Sequence, residues 1–141
     1  MAEHPFALIP AFVGIFNRKE ARRVLTQANQ ARDRKDWEMA IKSYRQYLDL
    51  RPKSFGIWVQ LGHALKESGQ LVPALAAYNS ALSLDARNGD LLLSLGHLHK
   101  LMGHRDLAIA FYIRSAEIED NIDARAELNR IIAQSTADSN L

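Results

Sequence analysis

The residues in this chain best able to do chemistry are its histidines, and their spacing decides which chemistry is open to them. His63 and His97 stand thirty-four positions apart, with His99 and His104 close behind. Imidazoles so placed raise the question of a metal. Helices packed side by side lie about 9–10 Å apart, too wide a gap for two imidazoles to share one ion at about 2.1 Å each. His97 and His99, two positions apart, leave a helix on different faces. The spacing therefore implies histidines that pack or contact a peptide, and no metal. Other chemistries lack their parts. The chain has no cysteine, so neither a thiolate site nor a disulfide framework is possible. It has no phosphate-cradling glycine loop, no nucleophile elbow and no His-Glu-x-x-His pair. A non-enzymatic protein without a cofactor is expected.

The interval that separates His63 from His97 also orders the rest of the sequence. Ala40, Ala74 and Ala108 share it, and each is followed four residues later by a tyrosine: Tyr44, Tyr78 and Tyr112. A fixed period in this range marks a solenoid, whose units each bury their apolar face against neighbours. The middle unit reads Trp58-x2-Leu61-Gly62-x2-Leu65, then Gly69, Ala74, Tyr78 and Ala81. The third reads Leu92, Leu95-Gly96, His99, Gly103, Ala108, Tyr112 and Ser115. The first is more worn: Val24, Gln27-Ala28, Ala31, Lys35, Ala40, Tyr44, Tyr47 and Pro52.

Each unit should be an antiparallel helix pair. Ala28, Gly62 and Gly96 on the first helix let the second come close, and Ala40, Ala74 and Ala108 supply the matching gap. The tyrosines lie one turn beyond, where i and i+4 side chains stack, and bury ring area. Helices are expected near 18–33, 37–50, 55–68, 71–84, 89–101 and 105–118. Asn17 with Glu20 reads as the first start, a capping-box pair. Asp36, Ser54 and Asp90 offer later side-chain caps. Gly69 and Gly103 fall at turns that need positive φ.

These residues resemble the tetratricopeptide repeat family, whose signature is Trp, Leu-Gly, Tyr, Ala, aromatic and Pro at a thirty-four-residue period. The resemblance covers residues 21 to 122. Leu65 and His99 replace its Tyr, and Ala86 and Asp120 its Pro. It implies an all-α, right-handed α-solenoid of three helix-turn-helix repeats (21–54, 55–88 and 89–121) closed by a C-terminal capping helix, 122–134. In that cap, Ile122, Ala126, Ile131 and Ala133 are expected to face the third repeat. Arg130, in the register of Ala28, Gly62 and Gly96, excludes a further close helix. Residues 135–141 are expected to be a frayed polar tail.

The family uses the wall lined by the first helix of each repeat to hold an extended or helical peptide. Matched positions on that wall form three rows: Asn29, His63 and His97; Arg32, Lys66 and Lys100; Leu25, Val59 and Leu93. An amide and imidazole row between a cationic and an apolar row suits a partner with acidic groups, since cations gain most by pairing with partly desolvated carboxylates. Asp33 and Glu67 dilute the field. Family members that grip heat-shock chaperone tails carry Lys and Asn, then Asn, then Lys and Arg. Here those places hold Leu25, Asn29, Gln60, Asp90 and Ser94. Only Asn29 fits, so the resemblance implies a different partner.

At 141 residues, with 48% hydrophobic and 24% charged residues, the chain suits one globular domain. A net charge of +2, with dispersed basic residues, gives no nucleic-acid footprint. Residues 1–17 fall outside the repeats. The apolar stretch Phe6 to Phe16 is shorter than the ~20 residues of a spanning helix and is interrupted by Pro10 and Gly14. Glu3 and His4 stand where a secretory signal carries cations. Membrane contact is not expected, and a cytoplasmic setting is. The stretch is expected to fold over the open end of the first repeat, with self-association as its alternative. The leading function is an adaptor that docks a protein or peptide partner. The alternatives are a repeat module serving a bacterial glycosyltransferase, which residues 58–67 resemble, and a self-associating structural subunit.

Overall fold

The computed structural model describes residues 10–140, with side chains from 17 onward, 119 excepted. Seven α-helices follow one another among the described residues: α1 (Pro10–Asp33), α2 (Trp37–Leu50), α3 (Phe55–Glu67), α4 (Leu71–Leu84), α5 (Gly89–Leu101), α6 (Arg105–Glu119) and α7 (Ile122–Ser139). They pack pairwise as α1–α2, α3–α4 and α5–α6, with α7 against α6. This is the α-solenoid the period implies.

The pairs close because a ring fills the space that a small residue leaves. Tyr44, Tyr78 and Tyr112 are fully buried, as are Ala40 and Ala74, with Ala108 nearly so. A Cβ on Gly62 would lie 2.3 Å from the Tyr78 ring, and one on Gly96 would lie 2.4 Å from the Tyr112 ring. The glycine thus makes room for the tyrosine of its own repeat. One continuous core runs from α1 to α5, and a smaller one joins Ala108, Tyr112 and Ile131 with Leu93, Ile109 and Leu128.

The three turns inside the repeats have one backbone design. Asp36 N–H donates to Ala31 O and Lys35 N–H to Arg32 O, and the same pair of bonds recurs at Gln70 and Gly69 and at His104 and Gly103. This double bond pattern closes a helix C-terminus on a residue of positive φ. Gly69 and Gly103 have φ of 82° and 80°, and Lys35 takes the same role at 60°. A side chain in that region costs about 1–2 kcal/mol. Lys35→Gly should therefore stabilise the protein by about 1 kcal/mol, read as a higher thermal midpoint; an unchanged or lower midpoint contradicts this.

Several expected boundaries move. α1 starts at Pro10, not near Arg18, so Asn17 is interior and caps nothing. Pro10 is the first helical residue, where its missing N–H costs nothing. The expected role of Phe6 to Phe16 in covering an end or self-associating lies partly outside the described residues. Asp36 caps α2 through Met39 N–H, as its side chain suggests. Ser54 precedes α3, but its side chain makes no cap bond. α5 is capped by Asn88, which accepts from Leu91 N–H, and Asp90 sits inside the first turn.

α7 departs further. It continues to Ser139, with Ser135 and Ser139 bonded back to the helix backbone, so residues 135–139 are helical and not frayed. Ala124, Glu127 and Ile131 are buried, while Ile122 is 78% exposed and Ala133 is also exposed. Of the residues expected to face the third repeat, Ile131 is buried and Ala126 half-buried. α3 and α5 present Leu61 and Ala64, and Leu91, Leu95 and Leu98, to the core. The matching places in α7 are Arg125, Asn129 and Ile132, all exposed. α7 is thus turned by about one residue step, ~100°, from the register of α3 and α5. On α1 the matching places are Arg23 and Gln30, both exposed, and Gln27, half-buried.

Candidate functional site

Of the row Asn29, His63 and His97, the first two are hydrogen-bonded by the tyrosines that fill their repeats. The Tyr44 hydroxyl donates to Asn29 Oδ1 at 3.0 Å. The Tyr78 hydroxyl meets His63 Nδ1 at 2.7 Å, with the rings edge to face at 5.5 Å. When that hydroxyl donates, His63 carries its proton on Nε2 and keeps one N–H for another partner. His97 holds the same 5.5 Å edge contact with Tyr112, but the Tyr112 hydroxyl is buried without a hydrogen-bond partner. Asn29 and His63 are thus each held by the second helix of their own repeat. The fifteen-residue offset from Asn29 to Tyr44 and from His63 to Tyr78 was the available signal.

The cationic row is already paired. Arg32 meets Asp33 at 2.8 Å and Lys66 meets Glu67 at 3.3 Å, each through its immediate neighbour in sequence. Arg32 also reaches Gln60 Oε1 at 3.5 Å, linking α1 to α3. Lys100 has Leu101 in place of a neighbouring acid, and pairs at 2.9 Å with Glu127 from α7. Glu127 stands one repeat length after Leu93, so it continues the row Leu25, Val59 and Leu93 with a carboxylate. That register would have revealed it in the sequence. Leu25 and Val59 are half-buried on the wall, whereas Leu93 also packs into the small core beneath α7.

Burial makes this wall acid-sensitive. His63, His97 and His99 all hold protons more weakly than a free imidazole, whose value is 6.5, chiefly because the charged ring would be desolvated. Lys66 adds repulsion at His63 and His97, and His104 at His99. Tyr112 is pushed up to about 12, mainly by burial. Glu127 is held below the usual carboxylate value of 4.5, first by the hydrogen bond from Lys100. For the histidines the unfolded chain takes up protons first, so stability is complete above about pH 6.5 and falls as pH drops toward the folded values. Glu127 adds stability above the unfolded carboxylate value that is lost as pH falls through its lower folded one. The thermal midpoint should hold steady from about pH 7 to about pH 9, decline in acid in two overlapping stages, and decline again above about pH 10, where the tyrosines of the unfolded chain ionise first. A midpoint flat to pH 5 contradicts this.

No group of three or more His, Cys, Asp or Glu residues converges on a common point among the described residues. The Nδ1 atoms of His99 and His104 lie 3.3 Å apart, with the His99 ring stacked on Phe111. Two open depressions of about 550 Å³ lie elsewhere: one between α2 and the α3–α4 turn, lined by Ile41, Lys42, Arg45 and Gln70, the other along α1. Neither is lined by the nine groove residues. No helix among the described residues is long and apolar enough to cross a membrane.

Residues 55–88 and 89–122 each match the model of the tetratricopeptide repeat. The chain is 33% identical over 76 residues to superkiller protein 3 of Schizosaccharomyces pombe, covering 54% of this chain and 6% of that protein. It is 28% identical over 107 residues to the general transcriptional corepressor ssn6 of the same yeast, covering 74% and 10%. The chain spans only these small fractions of its curated relatives. Among solved structures, it matches the first repeat domain of Spaghetti (RPAP3) bound to the HSP90 peptide SRMEEVD, with a TM-score of 0.75, 22% identity, and 84% and 94% of the two chains covered. The Arabidopsis OM64 repeat domain gives 0.76, 18%, 84% and 98%. At these identities the likeness is one of fold.

Proposed function

This chain belongs to the tetratricopeptide repeat family, and from that premise we propose that it is a non-catalytic docking module whose inner wall holds a segment of a protein partner with acidic groups at intervals. The family's fold is generally a protein-interaction fold without catalysis. The observation that carries the reading is the threefold recurrence of an apolar, an amide or imidazole, and a cationic residue at matched places on α1, α3 and α5. Tyr44 and Tyr78 hold Asn29 and His63 in place from behind. Preorganised polar groups cost less to order on binding. The exposed acids Asp33 and Glu67 can release Arg32 and Lys66 to an incoming carboxylate, since surface ion pairs contribute only ~0–1 kcal/mol.

The Spaghetti domain was solved with a chaperone peptide, but that use does not transfer. The places of the carboxylate grip hold Leu25, Gln60, Asp90 and Ser94, and Asn29, the one match, is engaged by Tyr44 and Arg32. Capture of partners on the immobilised protein, followed by mass spectrometry, tests the proposal when repeated with Arg32, Lys66 and Lys100 all changed to Glu. A partner retained by the wild type should be lost. Its full retention on the triple variant, with helicity unchanged, would move the site elsewhere.

A further inference from the structure

The geometry points to a carboxylate-binding subsite on the third repeat, formed by Lys100 and His97 with the Tyr112 hydroxyl behind them, which the chain's own Glu127 occupies and an acidic partner side chain takes over. This rests on the docking function proposed above.

Three observations converge on it. First, Glu127 is out of place by type. It occupies the row whose other members are Leu25, Val59 and Leu93, and it is only 8% exposed. A carboxylate buried there is tolerated because it is paired, and removing it from water is costly otherwise. It is paired with Lys100 on α5 and with Arg130 on its own helix.

Second, the third repeat differs from the other two in the way such an occupant requires. Arg32 and Lys66 satisfy themselves with the next residue in sequence, but position 101 is Leu, so Lys100 draws its acid from α7. His97, edge-on to Tyr112 at 5.5 Å, is weakened as a base chiefly by desolvation, and the Glu127 carboxylate offsets part of that. Glu127 is therefore a ligand-like acid supplied in cis.

Third, the Tyr112 hydroxyl is buried and unpartnered, whereas those of Tyr44 and Tyr78 are both bonded. A buried donor left unmade costs about 1–3 kcal/mol. An arrangement with Glu127 in the groove leaves this donor idle, and an incoming acceptor could use it. Release need not unfold α7. Arg130 is 64% exposed and already holds the other oxygen, so Glu127 can swing outward with Arg130 as its partner.

The test uses a fluorescein-labelled synthetic peptide of alternating Glu and Leu, its affinity read by anisotropy. Glu127→Gln should tighten binding about three- to tenfold, the worth of one displaced, partly buried ion pair. Lys100→Gln should weaken binding, and in that background Glu127→Gln should give no gain. If the wild type binds and Glu127→Gln binds equally or more weakly, the subsite is wrong while the docking function stands. If no variant binds the peptide, both fall. Amide exchange across α7 reports whether the helix stays docked. Should Glu127→Gln loosen it, Glu127→Asp, which keeps the charge but shortens its reach, should still tighten binding, and no tightening there overturns the subsite.

Discussion

Tyr78→Ala should lower the unfolding free energy by about 3–5 kcal/mol, the usual cost of removing a large buried aromatic. The ring is fully buried, lies over Gly62 and bonds His63 through its hydroxyl. Its removal opens a cavity between α3 and α4 that their backbones cannot easily close, and leaves a half-buried imidazole without its partner. Domains of this size have only about 5–15 kcal/mol in hand. In a solenoid each repeat is held by its neighbours, so the loss falls on the middle of the array. Urea unfolding followed by circular dichroism measures it. A cost under about 1 kcal/mol would mean that Tyr78 does not close the pair.

The reverse change at the same contact should be nearly as severe. Gly62→Val should cost about 3 kcal/mol or somewhat more, at the upper end of overpacking effects. The added Cβ alone would meet Tyr78 Cε1 at 2.3 Å and Cδ1 at 2.4 Å. The ring is fully buried, so it can give way only slightly. Gly62→Ala is the informative companion, because the first repeat carries Ala28 in this register with Tyr44 still fully buried. One methyl can be accommodated by a displaced ring, and a branched side chain cannot. Valine melting like glycine would show that the close approach is not what holds the helices together.

The parts of the fold that were legible in the sequence are those that repeat. The Ala-x3-Tyr pairs fixed all three helix pairs, because a small residue and a ring can satisfy one contact in few ways. Gly69 and Gly103 marked their turns for the same reason, while Lys35 in the equivalent place hid the first turn's positive φ. What could not be read lies where the repeat ends. Asn17 has the chemistry of a cap, yet the helix runs through it from Pro10, since a side-chain acceptor does not by itself end a helix. Asn88 displaced Asp90 as the cap of α5 because the choice between acceptors two apart depends on backbone angles. α7 kept the period but turned its contact face, burying Ala124 and Glu127 in place of Ile122 and Ala133.

The groove rows were equally readable as positions, and their pairing was not. Spacing places Asn29, His63 and His97 in line, but it does not show that Tyr44 and Tyr78 bond the first two while the Tyr112 hydroxyl bonds nothing. It also places Lys100 beside Lys66 without showing that α7 supplies its acid. Both facts depend on side chains meeting between helices, one step beyond what periodicity encodes.

The claim that the inner wall is the docking surface is tested most directly by backbone and side-chain NMR of the uniformly labelled protein titrated with the acidic Glu-Leu peptide. The account predicts shift changes concentrated at Leu25, Asn29, Arg32, Val59, His63, Lys66, His97 and Lys100, with α2 and α4 residues such as Lys42, Arg45 and Val72 unmoved. Changes confined to those outer residues, with the inner rows silent, would contradict it.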